Sequence, residues 1–277
     1  DGDRAGAIAA WPRLADFADK LHFLGKPPGF RPLLPMRLAR LLRKQGATVV
    51  QTHHVGPLLY GGVAARLAGC RLVHVEHDAW HLEDPARARL VRRLARLLRP
   101  RLAAVSDVVA RNARPRLGRE IAVIRNGVDM RRFVPGDRSA ARAALGLGDL
   151  IDAPLIVCAA RLEHVKGVDV MIEAMRALPE AVHLAVAGDG AERAHLEAQA
   201  ERLARGRVRF LGRIDAMPTL FQAADVCVLP SRAEGLPLSL LEAQAAGCRV
   251  VATDVGGMPD AVDPETGLVV RAEAPGE

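Results

Sequence analysis

Two glutamates, Glu234 and Glu242, stand on either side of seven uncharged residues in the segment "PSRAEGLPLSLLEAQAAG". Pro237 between them suits the first position of a helix, because its missing N–H is not needed there. The free backbone N–H groups of Leu238 and Ser239 could then face a phosphate. Glu242, about one and a half turns later, could accept hydrogen bonds from both hydroxyls of a ribose, and Glu234 could reach sugar hydroxyls from the loop. The alternative is a solvated Glu234 and a Glu242 that only caps the helix.

A pair of cations in the segment "AARLEHVKG" could bind the phosphates of the same ligand. Arg161 offers a fork of donors that matches phosphate, and Lys166 offers a mobile point charge. A helix predicted to begin near Gly167 would add the partial positive charge of its N-terminus. Taken alone, such a pair is more often a surface feature of a loop. The nearby "GDG" does not predict a dinucleotide site, because Arg193 stands where the third glycine of that motif would fall.

Short apolar runs that alternate with helical patterns must position these residues. Strands that are apolar on both faces and separated by helices indicate parallel sheets built from β-α-β units. A stretch rich in Pro and Gly interrupts the pattern once, so we predict two doubly wound α/β domains, 1–137 and 138–277, with ligands at the carboxyl ends of their strands. The predicted strands are 48–53, 71–77, 102–106, 121–126, 155–160, 182–188, 208–212, 226–231, 249–253 and 267–270, and the clearest helices are 57–69 and 85–99.

Both ends of the chain have an unusual pattern for such domains. The chain begins at Asp1 with a helical pattern, and it ends with "VVRAEAPGE" directly after a predicted strand. A doubly wound domain normally covers its last strand with a helix. We therefore expect a fragment in which the first domain lacks its first strand and the second domain lacks its terminal helices.

The composition of the 277 residues, half of them apolar, excludes a disordered or fibrous chain. No apolar run in the sequence is long enough to span a membrane, and no signal-peptide pattern opens it. The four cysteines are far apart, form no C-x-x-C pair and sit among apolar neighbours. This pattern predicts buried free thiols in a reducing compartment, which favours the cytoplasm.

Basic residues are concentrated in the first half of the chain. Residues 1–137 hold 25 Lys and Arg against 12 Asp and Glu, a net charge of +13, whereas residues 138–277 have a net charge of −6. Seven of the arginines lie within 84–102. We expect a stripe of leucines on that helix to pack on the sheet, namely Leu90, Leu94, Leu97 and Leu98. The favoured partner is an anionic membrane surface or a charged lipid carrier. The alternative is that the arginines form a solvated helix face that binds no partner. Nucleic acid is not expected, because the chain has nine aromatic residues and no recognised nucleic-acid motif.

The motifs taken together resemble family 4 of the retaining glycosyltransferases. In the second half they are "RLEHVKG", "GDG", "FLGRI", "LPSRAEGLPLSLLEAQAAG" and "VVATDVGGMPDAV"; in the first half they are "THHVGPLLYGGVAARLAG", "VHVEHDAW", "AVSDVVARNA" and "VIRNGVDMRRFVPG". The resemblance covers roughly residues 20–270. It implies the GT-B fold, with two Rossmann-like domains facing across a cleft. It also implies a nucleotide-sugar donor on the second domain, transfer with retention of anomeric configuration, and no required metal or cofactor.

The resemblance also implies roles for individual residues. Arg161 and Lys166 would bind the diphosphate, and Glu242 would bind the ribose. Glu234 would contact the transferred sugar as a catalytic residue. The other donor-site residues would be Arg213 and Ile214 beside the base, together with Gly235, Leu238 and Ser239.

Histidines crowd the first half of the chain, at positions 53, 54, 74, 77 and 81. A zinc site is one alternative, but His74 and His77 are three apart on a predicted strand and should point to opposite faces. We therefore predict no metal site. A D-x-D pair, which could bind a divalent metal, occurs in Asp1 and Asp3, but it lies at the chain start and not at a predicted strand end. His77 ends its strand and should face the cleft, where the resemblance places a catalytic histidine that could orient the acceptor hydroxyl or share its proton. The two acceptor-side candidates, for which packing is the alternative, are His53 and His54.

These observations favour a retaining hexosyltransferase that moves a sugar from a nucleoside-diphosphate sugar to a lipid-linked or saccharide acceptor. We expect it in the cytoplasm, with peripheral association at the inner face of the membrane as a further expectation. Two alternatives stay open. One is a nucleotide-sugar epimerase or hydrolase of the same fold. The other is a truncated, non-catalytic sugar-nucleotide binder, which the expected missing ends suggest.

Overall fold

A computed structural model describes residues 3–276, which form two parallel sheets with helices packed against them. Asp1, half of the D-x-D pair, lies outside the described residues. The strands of the described chain are β1 Val49–His53, β2 Arg71–Glu76, β3 Arg101–Ala104, β4 Ala122–Val123, β5 Leu155–Ala159, β6 His183–Ala187, β7 Val208–Gly212, β8 Val226–Leu229, β9 Arg249–Thr253 and β10 Gly267–Val270. Its α-helices are α1 Arg4–Ala10, α2 Leu34–Lys44, α3 Val55–Ala68, α4 Pro85–Leu98, α5 Asp107–Leu117, α6 Arg138–Ala144, α7 Val168–Ala174, α8 Arg193–Leu203, α9 Met217–Ala223 and α10 Leu238–Ala245.

Each predicted strand and both predicted helices are present, with small differences in their bounds. The largest difference is at β4, which pairs with β3 through Ala122 and Val123. One further bond, from the Ile124 N–H to the Ala104 carbonyl at 2.9 Å, continues the ladder. Ile124 is exposed, so its apolar side chain does not mark a buried continuation of β4 as the sequence pattern suggested.

The second sheet has the order β10-β9-β8-β5-β6-β7, and all its strands are parallel. The order reverses between β5 and β8, since the chain moves from β5 towards β7 and then returns to the other side of β5. In such doubly wound sheets the crevice at the carboxyl ends of the two central strands is the usual ligand site. The segments with Arg161 and Lys166, and with Glu234, follow these two strands.

The first sheet has the order β1-β2-β3-β4, also parallel. Each described strand of this sheet is added on the same side of the one before it, so the order corresponds to one half of a doubly wound sheet. The predicted domain boundary at 137–138 falls between the two sheets. Two apolar clusters cover the faces of the second sheet and one covers the first. Leu236, from the loop after β8, is buried in the cluster of the first domain and so links the two units.

The apolar stripe of α4 differs from the prediction. Leu94 and Leu98 are buried as expected, but Leu90 and Leu97 are 41% and 74% exposed. The inward face is formed instead by residues 91, 94, 95 and 98, whose separations of three, four and seven from residue 91 keep them on one side of the helix. Leu90 and Leu97, one heptad apart, lie on the flank beside the arginines.

The remaining sequence expectations concern the thiols and the membrane. All four cysteines are free and buried, as predicted. Burial raises the pKa of the Cys158 thiol to about 12, which keeps it protonated. Among residues 3–276, no helix combines the length and the apolar character that crossing a bilayer requires.

Candidate donor and acceptor site

A cavity of about 270 Å³ opens at the carboxyl ends of β5 and β8, where the strand order of the second sheet reverses. Its walls include five of the predicted donor-site residues: Arg161, Lys166, Glu234, Leu238 and Ser239. These residues come together because parallel strands bring the loops at their carboxyl ends to one edge. Five residues that the sequence singled out thus meet in one cavity, and their roles in donor binding stay a prediction.

Lys166 and Glu234 form an ion pair inside this cavity. The Lys166 Nζ donates to Glu234 Oε1 at 2.5 Å, and the Ser231 hydroxyl donates to the same oxygen at 3.0 Å. The two charged side chains are 15% and 9% exposed. Because an ammonium has three N–H donors, Lys166 can also bind a phosphate beside the carboxylate.

Glycine allows the loop that carries Lys166 to close on the loop after β8. Gly167 has a φ of +65°, and a Cβ there would lie 1.9 Å from the Pro230 carbonyl oxygen. A side chain at this position would push Lys166 away from Glu234. The helix α10 begins at Leu238 after Pro237, and within the described chain no side chain caps its first turn. Its first N–H groups are therefore available to an anion in the cavity.

A second cavity of about 600 Å³ adjoins the first, and Arg161 lines both. Arg213 and Ile214, predicted beside the base, line this second cavity together with Gly188 and Asp189. The Arg161 side chain is 69% exposed and donates to Glu163 at 2.5 Å. The two cavities give room for a base at one end and a diphosphate at the other, with Arg161 between them.

Glu242 lies on α10, one turn after Leu238 and so on the same side of the helix. It is half-buried but is not one of the residues that line either cavity. Its contact with a ribose stays a prediction.

The loop after β8 also forms a close contact between the domains. A Cβ on Gly235 would lie 1.6 Å from the carbonyl oxygen of His77, so a glycine is required there. The Leu236 carbonyl accepts a hydrogen bond from Asn126 Nδ2 at 2.9 Å. Sequence reasoning missed Asn126 as part of the site. Its only local signal was the turn-forming "NG" dipeptide after β4.

Three histidines meet at the ends of β1 and β2, next to Gly235. His53 Nδ1 lies 2.6 Å from His77 Nε2, and the ring of His54 stacks on that of His77 with 5.6 Å between centroids. Burial lowers the pKa of His77, as do His53 and His54, against the opposing charges of Asp78 and Glu76. Burial also lowers the pKa of His53. At neutral pH both imidazoles are therefore uncharged, and one can donate to the other.

A third cavity of about 500 Å³ lies beside these histidines. Its walls include His54, Asp78, Trp80, His81 and Arg87. His54 therefore lines this cavity, whereas His53 packs against His77. The acceptor-side role of both histidines stays a prediction.

The other two histidines, the buried His74 and the partly buried His81, form a polar cluster with Glu76. The Glu76 carboxylate, 1% exposed, lies 3.3 Å from His74 Nε2 and 3.4 Å from His81 Nε2. A hydrogen bond with Asp78, together with the charge of Glu76, raises the pKa of His81 against its burial. Within the described part of the chain, no three or more His, Cys, Asp and Glu side chains are placed to hold a metal ion.

Comparisons with known proteins agree with this architecture. Residues 2–132 match the model of "Glycosyltransferase Family 4", and residues 153–277 match that of "Glycosyl transferases group 1". The crystal structure of HepE from Anabaena in complex with UDP-glucose superposes with a TM-score of 0.83 and 25% identity, over 95% of this chain and 75% of that one.

Two curated bacterial proteins are similar in sequence. A GDP-mannose-dependent monoacylated alpha-(1-6)-phosphatidylinositol monomannoside mannosyltransferase of Corynebacterium glutamicum is 40% identical over 53% of this chain and 42% of its own length. A D-inositol 3-phosphate glycosyltransferase of Mycolicibacterium gilvum is 39% identical over 56% of this chain and 36% of its own. The match thus spans less than half the length of these relatives. The two family models together account for nearly the whole chain, and the protein therefore belongs to the family-4, group 1 glycosyltransferases, with the GT-B fold.

Proposed function

We propose that the protein is a retaining hexosyltransferase that takes its sugar from a nucleoside-diphosphate sugar. The observation that carries this proposal is the cavity at the reversal of the second sheet, where Arg161, Lys166 and the start of α10 converge. This set of donors suits a diphosphate, because two cations and a helix N-terminus all favour negative charge. The neighbouring cavity beside Arg213 gives room for the base.

The chemistry would occur where the loop after β8 meets the first domain. Glu234 lies in the donor cavity, and Gly235 next to it touches the backbone of His77. A sugar attached to the diphosphate would therefore extend towards His77 and the histidine-lined cavity. We assign Glu234 to contacts with the transferred sugar, and His77 to orientation of the acceptor hydroxyl and to sharing of its proton.

We also propose that transfer requires no divalent metal and no organic cofactor. A metal ion would otherwise neutralise the leaving diphosphate. Arg161, Lys166 and the α10 N-terminus supply positive charge at that position, and the nucleotide sugar is a co-substrate rather than a resident group.

The acceptor is proposed to be a saccharide or a lipid-linked polyol at the cytoplasmic face of a membrane. Exposed arginines on α4, beside the acceptor-side cavity, support this assignment because they can contact anionic headgroups. The names of the two curated relatives, one acting on a phosphatidylinositol mannoside and one on inositol phosphate, also support it.

The test is a transfer assay with UDP-glucose and GDP-mannose as donors, and with phosphatidylinositol vesicles, inositol phosphate and a disaccharide as acceptors. We expect a glycosylated acceptor whose anomeric configuration, read by NMR, equals that of the donor, and no product from Glu234→Gln. Inversion would contradict the retaining mechanism. Release of free sugar or a changed donor sugar would favour a hydrolase or epimerase, and nucleotide binding without turnover would favour a non-catalytic binder.

A further inference from the structure

Arg232, two residues before Glu234, lies in the loop after β8 and is 17% exposed. It lines neither of the two donor cavities. Its side chain points away from them, towards the turn His164–Lys166 and the start of α7. It therefore has no place in the function proposed above, although it is close to the residues that carry that function.

All five N–H groups of the Arg232 guanidinium are used. Nη1 donates to the His164 carbonyl at 2.6 Å and to Asp169 Oδ1 at 2.7 Å, while Nη2 donates to Asp169 Oδ2 at 2.7 Å. Nη2 and Nε also donate to the two carboxylate oxygens of Glu273, which follows β10. A guanidinium with each donor paired, and with two carboxylates that each accept two of its hydrogen bonds, is held in a single geometry.

The backbone of the same residue makes a parallel contact. The Arg232 N–H donates to the Val165 carbonyl at 2.9 Å. Both the main chain and the side chain of Arg232 thus hold the turn His164–Lys166 against the loop after β8. Lys166 ends this turn, and its Nζ reaches across to Glu234.

The Lys166 turn and the loop after β8 are therefore joined at two places, by the Lys166–Glu234 pair and by Arg232. A ligand in the cavity would affect these two contacts differently. A diphosphate that attracts Lys166 would weaken its pair with Glu234. The contacts of Arg232 face away from the cavity and would persist. They would keep the Lys166 turn and the Glu234 loop at a constant separation while the first pair is exchanged for phosphate.

Charge compensation around Arg232 is strong. Burial disfavours the ionised form of Asp169, but the hydrogen bonds and the charge of Arg232, together with a backbone hydrogen bond and His164, outweigh it and lower the pKa of this carboxyl. One guanidinium thus forms ion pairs with two carboxylates, those of Asp169 and Glu273. Lysine could not replace arginine here, because an ammonium has three donors and cannot bind a carboxylate through a planar fork.

We propose that Arg232 is a positioning residue for the diphosphate. Arg232 holds the turn with Lys166 and the loop with Glu234 in the arrangement that a nucleoside diphosphate requires. This inference rests on the proposed function, since it takes the cavity to be the diphosphate site.

The experiment compares Arg232→Lys, Arg232→Ala and Asp169→Asn with the wild-type chain. Calorimetry with UDP and GDP, and with the parent nucleosides, separates phosphate recognition from base recognition. We expect weaker nucleoside diphosphate binding in all three variants, no rescue by lysine, and unchanged nucleoside binding. In the transfer assay, kcat/KM should fall by up to about 100-fold, the range seen when reacting groups are displaced by about 1 Å.

Arg205→Ala is the matched control, because Arg205 lies on the same domain and pairs with Glu201 on the surface, where it is 83% exposed. Its binding and its kcat/KM should equal those of the wild type. Should Arg232→Ala fold poorly, Asp169→Asn still removes half of the bidentate pair and leaves the arginine in place.

Two outcomes would overturn the inference alone. One is wild-type affinity for nucleoside diphosphate in Arg232→Ala and Asp169→Asn. The other is an equal loss of nucleoside and nucleoside diphosphate binding, which would show general damage to the domain. If the wild-type chain itself binds neither UDP nor GDP, the proposed function fails first, and the inference fails with it.

Discussion

The carbonyl oxygen of His77 occupies the space into which any side chain at Gly235 would project, since a Cβ there would approach it to 1.6 Å. His77 ends the second strand of one domain, and Gly235 follows Glu234 in the other. This contact sets the distance between the proposed catalytic histidine and the donor cavity, so the structure of the cleft depends on it.

Gly235→Ala should therefore open the cleft. We expect a large fall in kcat/KM and a loss of free energy of unfolding, because a backbone carbonyl cannot give way as a flexible side chain does. The measurements are transfer kinetics and thermal unfolding. Gly148→Ala is the control, since an added Cβ there meets nothing within 4 Å. Unchanged kinetics in Gly235→Ala would contradict the contact.

Lys166→Ala should weaken nucleoside diphosphate binding much more than nucleoside binding. A charge-assisted contact contributes about 1.5–3 kcal/mol, so the affinity should fall about 10- to 100-fold. Arg161→Ala should act in the same direction but less, because its side chain is 69% exposed and solvent screens its charge. Calorimetry with UDP, GDP and their nucleosides measures both effects. Equal proportional losses for nucleoside and diphosphate would show that neither cation touches phosphate.

Glu242→Ala should remove the acceptors proposed for the ribose hydroxyls. We expect the affinity for a nucleoside diphosphate to fall about ten-fold. A sharper comparison uses the 2′-deoxy and 3′-deoxy nucleotides. The wild-type chain should bind these deoxynucleotides more weakly than it binds the ribonucleotide. The Glu242→Ala variant should bind the deoxynucleotides and the ribonucleotide with equal affinity. Identical discrimination by both proteins would contradict the assignment, and the test is informative because Glu242 is not among the residues that line the two cavities.

The transfer reaction should lose activity at acidic pH. The pKa of His77 is lowered from 6.5 by burial and by His53 and His54, so its neutral, proton-accepting form prevails at neutral pH. The acidic limb of kcat/KM should therefore have its midpoint below pH 6.5. The lowered pKa of His77 also affects the free energy of unfolding. The neutral His77 stabilises the fold above pH 6.5, which is its pKa in the unfolded chain. This stabilisation is lost as the pH falls through the pKa of His77 in the folded protein.

His77→Asn should remove that limb together with most of the activity. His53→Gln should move the limb upwards, because it removes a neighbouring charge that lowers the pKa of His77. A limb that stays in the same place in both variants would assign it to another group.

The first domain should bind anionic vesicles at low salt. Each basic residue near an anionic surface contributes about 1 kcal/mol, and the attraction extends over about 10 Å at 0.1 M salt. Arg92 is unsuitable for the test, since its side chain donates to the Arg116 carbonyl at 2.7 Å and supports the fold. The exposed arginines to replace by glutamine are Arg89, Arg93, Arg96 and Arg99.

The control replaces an equal number of exposed arginines on the second domain, namely Arg176, Arg202, Arg205 and Arg249. Sedimentation with phosphatidylglycerol vesicles should decrease for the α4 variant alone and should disappear at high salt. Equal recovery on neutral phosphatidylcholine vesicles would favour an acceptor in solution.

The sequence by itself determined the strands, the presence of two parallel-sheet domains and five of the residues that meet in the cavity after β5 and β8. Arg161 and Lys166 follow β5, and Glu234 and Leu238 follow β8. Parallel strands bring their carboxyl ends to one edge, so a motif placed after a buried strand already has an approximate position in space. Apolar runs and Pro or Gly punctuation are local signals, which explains why each predicted strand is present within a few residues.

The tertiary structure alone decided the contacts between segments that are distant in the chain. The approach of Gly235 to His77, and the five donors of Arg232 shared among three segments, follow no local pattern. Leu90 and Leu97 matched a helical stripe, yet α4 turns residues 91, 94, 95 and 98 inwards and leaves these two leucines exposed. Periodicity shows that a helix has an apolar side, but which residues are buried depends on the rotation of that helix against its neighbours, which the packing of the whole domain determines.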